Sequence, residues 1–262
     1  MDFLLQVDET GVPLTEFVYE TIQSLEYQQW YTGESIQKLR LTKDGLNQWH
    51  DYRYLEQFIP VGTVEFVHDF MKLVHNRRPL KPMNIPPIFI DTGYFLNRNI
   101  AILNGAEVSN FNVETERYFI KSNDVVKGFT YLGSVKDLNK KKLKPKEHYI
   151  VSDLIDIISE WRCFVFRGKL VGLQNYSGDF CEFPSVDLIE EIIRIYENSN
   201  ENIPPSYTLD VCVTTDDSEY KNKTTSIIEF HHFYSCGFYG FSDCRIIPQM
   251  LSQWYNWFLY KN

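Results

Sequence analysis

Two apolar runs near the C-terminus, residues 207–213 and 225–232, constrain this chain more than any other feature. Each places acidic or metal-ligating side chains inside a strand-like segment. Asp210 stands among Leu209, Val211 and Val213, and Glu229 is bracketed by Ile227, Ile228 and Phe230. Successive strand residues point to opposite faces, so Glu229 and His231 share a face, roughly 6.5–7 Å apart along the strand. The polar stretch 214–224, with Asp216, Asp217, Ser218 and Asn222, suits a hairpin loop. Antiparallel pairing of the two runs would bring one carboxylate from each strand to a common point. Buried carboxylates are expensive unless they are paired or hold a cation. A divalent cation is the first explanation; a hairpin whose polar face is merely solvated is the alternative.

Composition narrows the choices. The chain has 262 residues, 44% apolar and 16% aromatic, which is enough for one large domain or several lobes with a real core. A formal charge of −9 argues against bulk nucleic acid or an anionic membrane as the main partner. No apolar run approaches the ~20 residues of a membrane span, and the first residues lack the basic region of a secretory leader. Five widely spaced cysteines (163, 181, 212, 236, 244) with no Cys-x-x-Cys pair read as reduced thiols, as in a cytoplasmic protein.

Along the chain the pattern is mixed. A short strand at 3–7 precedes a helix spaced by Leu14, Phe17, Val18, Ile22 and Leu25. A second strand is expected at 36–41 and a helix at 64–74, entered through Pro60-Val61-Gly62. Prolines 79, 82, 86 and 87 then break structure and mark a boundary. Short strands are expected at 88–90, 100–103 and 118–121, the last led into by 113–117. The six lysines between 136 and 146 read as a solvated loop. Residues 149–151 form a strand, 152–158 a connection, and 160–166 with 169–176 a hairpin about Arg167-Gly168. Asp187 and Glu190 resemble a capping box opening a helix with Ile189, Ile192, Ile193 and Tyr196 on one face. A last helix starts at Pro248 and buries Met250, Leu251, Trp254, Tyr255 and Phe258.

The polar residues set in strands or Gly/Phe-rich loops form an ordered series: Lys121, Lys127, Arg162, Asp210, Glu229, His231. Cations followed by acidic ligands suit polyphosphate chemistry, in which lysines neutralise phosphate oxygens and carboxylates hold the Mg²⁺ that bridges them. There is no Gly-x-x-x-x-Gly-Lys-Ser/Thr loop and no Gly-x-Gly-x-x-Gly after a strand, which removes P-loop proteins, Rossmann dinucleotide binders and protein kinases.

In this order the chain resembles the ATP-grasp family, and within it a small clade often borne by phages or mobile elements. The motifs that carry the resemblance are Pro60-Val61-Gly62-Thr63-Val64-Glu65-Phe66-Val67, Lys127-Gly128-Phe129-Thr130, Ser159-Glu160-Trp161-Arg162, Leu209-Asp210-Val211, Glu229-Phe230-His231 and Gly237-Phe238-Tyr239. They span about residues 58–258; no single one is specific, but all six stand in the family's order. The resemblance implies an α+β ATP-grasp fold with ATP clamped between two antiparallel sheets. Residues 1–85 would form an N-terminal α/β lobe, 86–150 the first clamping lobe, and 151–262 the C-terminal lobe with the metal site.

The resemblance also implies roles. Lys121 and Lys127 would grip the phosphates of ATP, and 151–155 would be the adenine hinge, with Ser152, Asp153 and Ile155 as contacts. Arg162 would stabilise charge on the transferring phosphoryl group, and Asp210, Glu229 and position 231 would hold Mg²⁺ or Mn²⁺. The implied activity is an ADP-forming carboxylate–amine (or thiol) ligase acting through an acyl phosphate. Its partners would be a carboxylate-bearing and an amine-bearing substrate: a small molecule, a peptide or a modified base. The family pattern has Asn where this chain has His231, and imidazole suits Mn²⁺ or Zn²⁺ better than Mg²⁺. That departure leaves open an altered metal site, a histidine that only orients a ligand, or a nucleotide-binding protein without turnover. A phosphotransferase using the same cleft is a further alternative.

Overall fold

The computed structural model describes residues 2–111, 117–199, 202–215 and 222–261. The expected lead-in at 113–116 and the acidic centre of the 214–224 connection lie outside these residues.

The N-terminal part is built on a parallel sheet, β1 (Asp2–Gln6), β2 (Lys38–Leu41) and β3 (Phe58–Val61), in the order β2-β1-β3. Parallel neighbours need crossovers, and helices supply them: α1 (Glu16–Thr32) before β2, and the short α2 (Lys43–Asn47) and α3 (Tyr52–Leu55) before β3. Thr15 caps α1, its side chain accepting from the Val18 N–H, and Gly33 stops it in the left-handed conformation. The next helix, α4 (Val64–His75), is capped by Thr63. The Pro60-Val61-Gly62-Thr63 motif has a structural cause here. The Gln6 side chain accepts from the Thr63 N–H at 2.7 Å, and a Cβ on Gly62 would lie 2.6 Å from the Gln6 oxygen.

The next part contains α5 (Pro87–Thr92), β4 (Ile100–Asn104), α6 (Gly105–Asn110), β5 (Arg117–Ser122), β6 (Thr130–Ser134) and β7 (His148–Asp153). Its antiparallel sheet has the order β4-β7-β5-β6. The remainder holds β8 (Asp156–Phe166), β9 (Lys169–Gly178), α7 (Val186–Glu197), β10 (Ser206–Thr215), β11 (Lys223–His232) and α8 (Ile247–Lys261). Its antiparallel sheet runs β11-β10-β8-β9.

Four local expectations need correction. Residues 88–90 are not a strand but the middle of α5, which Pro87 opens and Gly93 ends; a three-residue apolar run has no period, and Phe89 packs on Phe230 at 5.8 Å. The connection at 152–158 shrinks to Leu154-Ile155, because β7 extends to Asp153 and β8 begins at Asp156. The cap of α7 is Ser185, bonded to the Leu188 N–H, and Asp187 sits inside the first turn, where its charge favours the helix dipole. Strand β6 arises where the sequence suggests only a Gly/Phe-rich loop.

Three cores result. The largest joins the N-terminal sheet and α1 to α8 and to the aromatic segment 233–241, with Phe17 stacked on Phe238 at 4.6 Å and Phe164 on Phe241 at 4.2 Å. A second packs α5 and α7 against β8, β10 and β11, and a small third lies under the β4–β7 sheet. The first and last parts of the chain are therefore one apolar unit, and the β4–β7 sheet faces the β8–β11 sheet across a cleft.

Candidate active site

The cleft between the two antiparallel sheets is a cavity of about 680 Å³. Its apolar lining includes Phe119, Leu132, Ile150, Ile155, Ile157 and Ile228. Its charged lining is set by strand register. Arg162 on β8 is opposite Asp210 on β10, and Asp210 is opposite Glu229 on β11, so the three form one row across the sheet. A register irregularity after Asp210 puts Ile227, not Ile228, opposite Val211. From the facing sheet, Lys121 on β5 reaches across to bond Glu229.

The row is densely bonded. Arg162 donates from Nε and Nη2 to the two Asp210 oxygens, each at 2.8 Å, and from Nη1 to the Gly237 carbonyl at 3.1 Å. Its guanidinium also lies over the stacked rings of Tyr239 (5.1 Å) and Tyr176 (5.7 Å). His231 Nε2 sits 3.0 Å from Glu229 Oε1 and 3.5 Å from Asp210 Oδ2, with no hydrogen-bond geometry to any described group. One ligand atom from each of Asp210, Glu229 and His231 falls within 4.8 Å of the others, the spacing of donors around one cation.

Burial alone would discharge Arg162, Asp210, Glu229 and His231, and their partners more than offset that. For Arg162 the bonds to Asp210 overcome desolvation and raise its pKa. For Glu229, His231 and then Lys121 overcome desolvation and hold the carboxyl well below its usual range. Asp210 is lowered despite burial by Arg162 and His231. His231 is raised to about 9 against desolvation, chiefly by Glu229. Both carboxylates are thus ion-paired without a cation. They still suit a divalent ion, because each carboxylate oxygen keeps a further lone pair and His231 would offer a ring nitrogen once a cation displaced its proton. Two carboxylates and an imidazole form a donor set closer to Mn²⁺ than to the oxygen-only shell Mg²⁺ prefers.

The other expected residues divide. Ser152, Asp153 and Ile155 line the cavity. The Ser152 hydroxyl accepts from Arg98 Nε at 2.9 Å and donates to the Asp153 carbonyl at 2.8 Å. The Asp153 carboxylate accepts from the Asn99 amide, and its backbone N–H is committed to the Asn99 carbonyl. A further lone pair of the Asp153 carbonyl remains for a base. Lys127 does not line this cavity. It sits in the left-handed conformation on the β5–β6 turn, exposed, with Nζ 3.7 Å from Glu65 in the first turn of α4. It borders an adjoining cavity of about 290 Å³ that shares Lys121, Arg162 and Glu229 with the first.

Arg98 was missed. Among the described residues it has no carboxylate partner, and it bonds Ser152, Leu96 O (3.0 Å) and Ile227 O (2.8 Å), tying β7 of one sheet to β11 of the other. Nothing local distinguishes it from a loop arginine; its partners lie up to 130 residues away. Asn84 was missed too: it is 2% exposed, lines the cavity and leaves its side-chain oxygen unpartnered.

Comparisons with known proteins bear on the family and the fold. Residues 95–247 match the family described as ATP-grasp domain, R-2-K clade family 2; that is more than half of the chain, and the chain belongs to this family. Among solved structures, the RimK domain protein ATP-grasp from Sphaerobacter thermophilus is similar with a TM-score of 0.57 at 13% identity, covering 96% of this chain and 100% of that one. N5-Carboxyaminoimidazole synthetase from Staphylococcus aureus complexed with ADP gives 0.55 at 9% identity, over 96% and 77%. D-alanine–D-alanine ligase from Bacillus anthracis gives 0.53 at 9% identity, over 97% of each. At these identities the likeness concerns the fold, which is ATP-grasp. No curated protein matches the sequence. No helix among the described residues is long and apolar enough to cross a membrane.

Proposed function

We propose that this chain is an ATP- and divalent-metal-dependent ligase that activates a carboxylate as its acyl phosphate and passes it to an amine, releasing ADP and phosphate. The row Arg162–Asp210–Glu229, met by Lys121 from the opposite sheet, carries this reading. Two structural neighbours named as a ligase and a synthetase support it.

In this reading the adenine lies among the apolar side chains beside Ser152, Asp153 and Ile155, and Lys121 turns from Glu229 to the phosphates. Asp210, Glu229 and deprotonated His231 would hold the metal, which would supply positive charge against the phosphate oxygens. The acceptor carboxylate oxygen forms a bond to the γ-phosphorus while the bond from that phosphorus to the β–γ bridging oxygen breaks, and the electron pair leaves with ADP. The amine then attacks the acyl carbon and phosphate departs with the bonding pair; the amine's proton passes to solvent. Arg162, fixed by Asp210 and the two tyrosines, neutralises the charge that develops on the transferring group. Lys127, from the adjoining cavity, approaches the γ-phosphate from the acceptor side.

The experiment is calorimetric titration with a non-hydrolysable ATP analogue in Mn²⁺ and in Mg²⁺, alongside ADP release in the presence of acceptor mixtures. Metal-dependent nucleotide binding lost in Glu229→Gln is expected; binding indifferent to metal and to that change would overturn the assignment. One observation favours a second reading: both carboxylates are already satisfied by Arg162, Lys121 and His231, as in a nucleotide-binding protein without turnover. ADP release above the blank separates the two.

A further inference from the structure

A third cavity, of about 600 Å³, continues the line of the first two. It abuts the acceptor-side cavity at Pro82 and His232, which border both. Its wall is the segment 76–82 together with Asn202, Trp257 and Phe258. Three cations border it, Arg77, Arg78 and Lys81, and among the described residues no carboxylate does, on a chain whose net charge is −9. Arg77 is committed to the Leu259 carbonyl at 3.0 Å, and Lys81 pairs with Asp124 at 3.2 Å. Arg78 is exposed and has no hydrogen-bond or ion-pair partner among the described residues. Where the two cavities meet, His232 Nδ1 is buried without a close hydrogen-bond partner among the described residues.

We propose that this third cavity is a subsite for acidic side chains of a peptide whose reacting carboxyl group occupies the second cavity; the acceptor is then an acidic peptide rather than a lone small acid. The inference rests on the ligase reading above. Two adjoining cavities of about 290 and 600 Å³ exceed what one small acid needs. Uncompensated positive charge selects an anion, and the unpartnered imidazole nitrogen suits a main-chain amide at the junction. A nucleic acid would satisfy the charge but carries no carboxylate to activate.

The test measures binding of glutamate, diglutamate, tetraglutamate and tetraglutamine to the full chain, saturated with the ATP analogue and Mn²⁺. Affinity should climb with the number of carboxylates, tetraglutamate binding about tenfold or more tighter than glutamate, with tetraglutamine near glutamate. Arg78→Glu should remove most of the gain with length and Arg78→Ala part of it, while nucleotide affinity stays unchanged. Normal nucleotide binding without a gain from length, or with the same gain in Arg78→Glu, would overturn the subsite and leave the ligase reading standing. An oligoribonucleotide of equal charge binding tighter than tetraglutamate would also overturn it. Absent nucleotide binding would instead remove the ligase reading, and the subsite with it.

Discussion

The cleft and the seam solve the burial of polar groups in opposite ways. In the cleft, Lys121, Arg162, Asp210, Glu229 and His231 form one network of opposite charges, and the Lys121–Glu229 pair crosses between sheets. In the seam where α8 and the 233–241 segment meet the N-terminal part, the two histidine–tyrosine pairs are neutral. His68 bonds the Tyr234 hydroxyl at 2.8 Å and His75 bonds the Tyr255 hydroxyl at 2.7 Å, amid Trp254, Leu251 and Phe258. A charged partner can be exchanged for a phosphate or a metal ion; a neutral hydrogen bond inside an aromatic core has nothing to exchange. The first region is arranged to be rearranged by ligand, the second to hold.

The largest expected effect breaks the cleft. Arg162→Met leaves Asp210 buried without its bidentate partner and should destabilise the fold by about 3–5 kcal/mol. The double change Arg162→Met/Asp210→Leu should recover most of that, because no uncompensated charge remains. Urea denaturation of the three proteins checks it; equal stability throughout would show that Asp210 reaches solvent and that the contrast with the seam is false.

In the seam, Leu251→Ala should cost about 3 kcal/mol by the loss of buried apolar volume. Nucleotide affinity at temperatures where the variant is folded should be unchanged. A large drop in affinity would mean that the two regions are coupled.

Ligand should stabilise through the cleft alone. A nucleotide–metal pair present at about 100 times its dissociation constant adds about 2.7 kcal/mol. Glu229→Gln should remove the metal-dependent part and Leu251→Ala should keep all of it. His231→Asn exchanges a nitrogen donor for an oxygen donor and should shift the ratio of Mn²⁺ to Mg²⁺ affinity toward Mg²⁺.

The smallest effect is the seam's response to pH. Burial lowers the pKa of both His68 and His75 below the usual 6.5. A histidine with a depressed folded pKa contributes stability above its unfolded pKa and loses it as pH falls from there toward the folded value. The melting temperature should therefore decline between pH 7 and pH 5, and less steeply in His68→Gln/His75→Gln. An equal decline in both proteins would assign the acid sensitivity elsewhere.

Much of this architecture was legible in the chain. The strands at 100–103, 118–121, 160–166 and 225–232 and the helices beginning near 16, 64 and 248 follow from period and caps, which are properties of neighbouring residues. The row of site residues was legible as a motif order. The local errors fell where short-range signals compete: 88–90 is too short to show a period, and Ser185 and Asp187 both offer a capping oxygen. Partner choice was not legible. Arg162 was expected on the transferring phosphoryl group, and the structure also fixes it on Asp210, 48 positions away. Lys127 was expected on the nucleotide, and the left-handed turn that carries it aims it at the adjoining cavity and Glu65. Arg98 gained its role only when β7 and β11 came together. The sequence by itself determined which segments are strands and helices and which residue types could do phosphate chemistry, because those depend on periodicity and side-chain chemistry. Tertiary structure alone decided which charge meets which and which cavity each faces, because strand register and sheet-to-sheet approach join residues that are as much as 130 positions apart.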